Sequence, residues 1–115
     1  MLLKPLILGG DVHSFWVNDV KRDFVRPESP TIATEVVTSC LASRNGPDAL
    51  FGPAQGLNPH VRFLDNAHAG YTVLDVQRER LGIDMRAVND LTLPDSACTS
   101  LARYTVEDGR AGALA

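Results

Sequence analysis

Apolar and polar positions along this chain change period every few residues, and the changes predict short strands joined by turns. Pro5-Leu6-Ile7-Leu8 is an apolar run closed by Gly9-Gly10, the pattern of a buried strand entering a glycine turn. Residues 14–21 fit two periods. Phe15 and Val17 alternate as in a strand, whereas Trp16 and Val20 stand at helical spacing. Residues 24–30 carry two prolines and the acidic Glu28 and read as an exposed loop, and residues 31–37 are rich in β-branched side chains and read as a strand. Residues 45–59 are rich in Gly and Pro, with one helical turn expected from Pro47. Val61, Phe63 and then Tyr71, Val73 and Val76 mark two strands, with residues 65–70 joining them at hairpin length. A turn over residues 81–84, a third strand over 85–91 and a fourth over 101–106 complete an antiparallel meander. Residues 109–115 are expected to fray.

The tripeptide Asp11-Val12-His13 carries the clearest chemistry. In extended backbone, residues i and i+2 point to one side, so Asp11 and His13 are expected to aim at one point or at two neighbouring metal ions. A lone Asp-x-His is more often a turn beside a solvated histidine. Its place at the end of an apolar strand favours a site, because active sites of layered α/β proteins gather at strand ends. Two side chains remain half a metal site; a hydrolytic centre needs more.

The run Gly9-Gly10-Asp11-Val12-His13-Ser14-Phe15-Trp16-Val17-Asn18-Asp19 resembles the last metal-binding motif of PhoD-type alkaline phosphatases (alkaline phosphatase D), a branch of the calcineurin-like metallophosphoesterases. Ser29-Pro30-Thr31-Ile32-Ala33-Thr34-Glu35 is similar to that family's strand ending in Thr-Glu. Asn58-Pro59-His60-Val61-Arg62-Phe63-Leu64-Asp65-Asn66 and Gly70-Tyr71-Thr72-Val73-Leu74-Asp75-Val76 resemble its closing hairpin, and the tail its final strands. The similarity runs through nearly the whole chain in family order. It implies an α+β fold, here the β-rich C-terminal part of a four-layer metallophosphoesterase sandwich with mostly antiparallel strands, filling residues 1–115. It also implies a hydrolase of phosphate monoesters and diesters with a dinuclear centre of iron and calcium. Carried over by position, His13 would bind the iron-type ion and Asp11 the calcium side. Imidazole suits iron and a hard carboxylate suits calcium.

The family's other ligands lie N-terminal to this motif, and neither Cys40 nor Cys98 stands in a ligand context. The Ser-rich segment expected after Thr34-Glu35 is replaced by Val36-Val37-Thr38-Ser39-Cys40-Leu41-Ala42-Ser43. The chain is therefore expected to be a C-terminal portion, incomplete as an isolated phosphoric ester hydrolase. Leu6 to Leu8 would then lose neighbours on both edges, favouring self-association or a partner that supplies the N-terminal portion. A net charge of −3 without a basic run gives no case for nucleic acid. No segment approaches the roughly 20 apolar residues of a membrane span. No signal peptide is recognisable, although the family is commonly exported by the twin-arginine route.

Two other readings stay open: a non-catalytic β-rich module that binds a partner, and a weak metal binder using Asp11, His13 and His68. Among remaining polar residues, Ser14, Trp16 and Asn18 follow the ligand loop and are expected to pack. His60 and His68 read as loop histidines. Glu35 is either an outer partner of the site or an exposed strand-end carboxylate, and Tyr71 reads as a core aromatic.

Overall fold

The computed structural model describes residues 5–115. In chain order the elements are β1 Leu6–Gly9, β2 Phe15–Lys21, β3 Thr31–Val37, two single-turn helices α1 Asp48–Phe51 and α2 Ala54–Leu57, then β4 Val61–Asp65, β5 Ala69–Val76, β6 Arg80–Val88 and β7 Cys98–Glu107. They build two sheets. One has the order β1-β3-β2-β4 and the other is the meander β5-β6-β7. Among the described residues only β1 and β3 run parallel; every other pair is antiparallel. The fold is thus β-rich, with mixed and antiparallel sheets, as the resemblance implied.

Residues 14–21 settle as a strand because both edges of β2 are paired and period two buries the right side chains. Phe15 and Val17 are fully enclosed, while Trp16 and Asn18 on the opposite face are half-buried. The enclosed face meets the second sheet. Phe15, Val17 and Val36 join Ile83, Met85, Val106 and Ala113 in one core. The Phe63 and Tyr104 rings approach at 6.2 Å between centroids across the two sheets. Each enclosed aliphatic or aromatic side chain contributes about 1.5–3 kcal/mol relative to exposure. On the far face of the first sheet, Phe51 of α1 meets Trp16 edge-on at 5.6 Å.

Several expectations need correction. Residues 6–8 form a strand but not a buried one: Ile7 is 43% and Leu8 61% exposed. β1 is an edge strand with β3 on one side, so one edge is paired rather than neither. Residues 65–70 do not make a hairpin. β4 pairs with β2, and β5 pairs with β6, so the segment carries the chain from one sheet to the other. Residues 81–84 lie inside β6; the chain turns at 77–79, where the Gln77 N–H meets the Arg80 carbonyl at 3.0 Å. A second helical turn, α2, follows the expected one. The tail does not fray. Gly109 and Gly112 take positive φ and turn the chain back, Ala113 is enclosed, and Leu114 exchanges both backbone hydrogen bonds with Thr105 at 2.7 and 2.8 Å.

Candidate metal site at the end of the first strand

β1 ends at Gly9, whose carbonyl accepts the Thr38 N–H at 3.1 Å. The chain then bends through residues 10–14 before β2 begins. The sequence assigns this turn to Gly9-Gly10, yet neither glycine is left-handed. Asp11 (φ 74°) and His13 (φ 60°) are, and they are the only non-glycine residues at positive φ among the described residues. The expectation of an extended Asp-x-His pair is therefore corrected. Left-handed backbone costs about 1–2 kcal/mol per residue. Asp and His tolerate it better than most. Strain of this kind persists where the surroundings fix it, and it gathers at functional sites.

The surroundings of His13 are specific. Its ring is half-buried, and Nδ1 lies 2.8 Å from the carbonyl oxygen of Arg44. A carbonyl oxygen only accepts, so in the neutral ring this contact puts the proton on Nδ1 and leaves Nε2 its lone pair. A metal-ligating imidazole is held in this way by the hydrogen bond of its other nitrogen. Asp11 is exposed and has no hydrogen bond or ion pair among the described residues. Beneath the loop, Ser14 is enclosed; its hydroxyl accepts from Trp16 Nε1 at 2.8 Å and donates to the Val12 carbonyl at 3.5 Å. Ser14 and Trp16 thus brace the loop from below, in keeping with packing roles.

A second histidine stands nearby through the backbone. Asn45 Nδ2 donates to the carbonyls of both His13 (3.0 Å) and His68 (2.9 Å). The His68 ring meets the Asp65 carboxylate at 3.0 Å, and Asp65 Oδ1 also accepts the N–H groups of Ala67 and His68. The other candidates lie apart from this loop. Glu35 accepts from Asn18 Nδ2 at 2.8 Å, the two being cross-strand partners. His60 packs edge-on against Phe24 at 4.9 Å. Tyr71 lies along an open cleft with Leu8 and Val36 rather than in the core. Cys40 and Cys98 are free thiols.

Among the described residues no three His, Cys, Asp or Glu side chains gather as a metal-holding group. The donors present nevertheless suit the implied ions: an imidazole whose Nε2 faces no partner and a carboxylate without an ion pair among the described residues. They fit as two ligands of a larger set.

The profile of the PhoD-like phosphatase family matches residues 3–85, most of the chain and the whole of the loop just described. The chain belongs to the PhoD-like phosphatase family. A curated relative, alkaline phosphatase D of Bacillus subtilis (strain 168), is 30% identical over 110 residues, which is 93% of this chain and 19% of the relative. A solved structure described as the structure of PhoD superposes with a TM-score of 0.78 at 27% identity, covering 90% of this chain and 20% of that one. The chain spans about a fifth of the length of these PhoD relatives.

Arg44 and Asn45 went unmarked by the sequence. They lie in a Gly- and Pro-rich loop without periodicity, and their partners stand some thirty residues away. Hydrogen bonds of such separation leave no local signal.

Proposed function

We propose that Asp11 and His13 are two ligands of a dinuclear metal centre that hydrolyses phosphate monoesters and diesters, with iron on His13 and calcium on Asp11. The observation that carries this reading is the His13 ring, held through Nδ1 by the Arg44 carbonyl with Nε2 left free, in the loop that the family profile covers. The remaining ligands come from polypeptide beyond the described residues. When bound, such ions neutralise phosphate charge and lower the pKa of a coordinated water. This chain's own part is to present an unprotonated Nε2 from His13 and an anionic carboxylate from Asp11. Alone, two side chains cannot enforce a coordination geometry, so the isolated chain is inactive. It associates with itself or with an N-terminal portion of the same fold.

A second reading, a non-catalytic β-rich module that binds a partner, is favoured by one feature: the free edge of β1, with Ile7 and Leu8 exposed. Calorimetric titration with iron(II) and with calcium separates the two. Weak saturable iron binding is expected, lost in His13→Ala, with calcium binding reduced in Asp11→Asn. Coincident isotherms for the three proteins would sink the metal reading in favour of the module.

A further inference from the structure

A side chain outside every motif of the sequence, that of Asn45, bonds to the His13 backbone carbonyl. We propose that Asn45 is the positioning residue of the site, holding His13 in the tautomer that leaves Nε2 free. The inference rests on the metal reading for its consequence, though not for the clamp itself.

The geometry is reciprocal. His13 donates its Nδ1–H to the Arg44 carbonyl at 2.8 Å, and Asn45, the next residue, donates Nδ2–H back to the His13 carbonyl at 3.0 Å. Two bonds in opposite directions between the same two short segments close a ring. Either alone would act as a pivot; together they fix both the backbone of His13 and the direction of its imidazole. The same amide nitrogen reaches the His68 carbonyl at 2.9 Å and, more loosely, Ser39 Oγ at 3.4 Å. With two hydrogens on Nδ2, the two close carbonyls take one each. Ser39 Oγ donates to the same His68 carbonyl at 2.9 Å and makes no bond to His13 among the described residues.

Backbone strain supports the same conclusion independently. His13 sits at φ 60°, and a strained residue persists only where its neighbours over-determine it. The bond from Asn45 to the His13 carbonyl restrains that peptide. No other side chain donates a hydrogen bond to it among the described residues. Chemistry narrows the residue type as well. Aspartate has the shape of asparagine but no N–H, and it would turn an anionic oxygen toward two carbonyl oxygens. Without the clamp a neutral imidazole favours the other tautomer, with its proton on Nε2, the atom the metal needs.

The test is the tautomer itself. In the ¹⁵N,¹³C-labelled 115-residue chain, long-range ¹H–¹⁵N spectra at a pH where histidine is neutral should show His13 protonated at Nδ1. Asn45→Ala and Asn45→Asp should move the population toward Nε2–H and weaken iron(II) binding about 10–100-fold, the range for losing such an outer hydrogen bond. Ser39→Ala should leave the His13 tautomer unchanged. An unaltered tautomer in both Asn45 variants would overturn the proposal. Should those variants fail to fold, the wild-type chain decides. A scalar coupling across the hydrogen bond from Asn45 Nδ2 to the His13 carbonyl carbon supports the clamp, and its absence overturns it. If the tautomer responds to Asn45 while no protein binds iron, the clamp stands and the metal reading fails.

Discussion

Asp11 and His13 occupy left-handed backbone that glycine would adopt at no steric cost, although two glycines precede them. Exposed Asp11 makes no hydrogen bond or ion pair among the described residues that would offset this strain. Asp11→Gly is therefore expected to leave the urea midpoint unchanged or to raise stability by up to about 1 kcal/mol, while removing the carboxylate proposed to hold calcium. A loss of more than about 1 kcal/mol would mean that the carboxylate holds the loop together. The Asp-x-His motif and its place after an apolar strand were legible in the sequence. The handedness was not, because the i, i+2 argument presupposes extended backbone. Nothing local to residues 10–14 marks Asp11 and His13, rather than Gly9 and Gly10, as the turning residues.

Period-two alternation located β3 at the expected residues 31–37, and β5-β6-β7 are the last three strands of the four-strand meander that was expected, with the third beginning at Arg80 rather than residue 85. Alternation does not say which sheet a strand joins. β4 and β5 are close in sequence and look like a hairpin, yet Asp65 caps its own turn, accepting from Ala67 and His68 at 2.9 Å each, and the Gly70 N–H then bonds to the Cys40 carbonyl at 3.0 Å. These bonds direct the chain into the second sheet, behind the loop that holds His13. Gly70 is pinned there by close approach. It pairs opposite Ala87, and a Cβ at this position would overlap the Arg86 carbonyl oxygen. Gly70→Ala should cost about 1–3 kcal/mol in chemical denaturation, as for other overpacked sites. An unchanged midpoint would show that β5 and β6 are not held this closely.

The whole molecule is a slab of 43 × 35 × 20 Å, and its radius of gyration of 14.7 Å exceeds the about 13 Å of a compact chain of this length. Two sheets bury one face each. Leu8 at the free edge of β1 stays largely exposed, and an open cleft of about 240 Å³ runs between Leu8, Val36, Tyr71 and Leu74. The apolar run at residues 5–8 suggested burial because sequence reports hydrophobicity rather than the presence of a cover. Such a surface suits a chain that spans about a fifth of the length of its relatives. The measurement that tests this most directly is hydrolysis of chromogenic phosphate monoesters and diesters by a chimera. In it, this chain replaces the matching fifth of the Bacillus subtilis alkaline phosphatase D. Metal-dependent hydrolysis that falls at least about 100-fold in His13→Ala is the expected result, a larger loss than that of an outer hydrogen bond. Hydrolysis that is equal with and without the His13 imidazole would contradict the assignment of this loop to the metal centre.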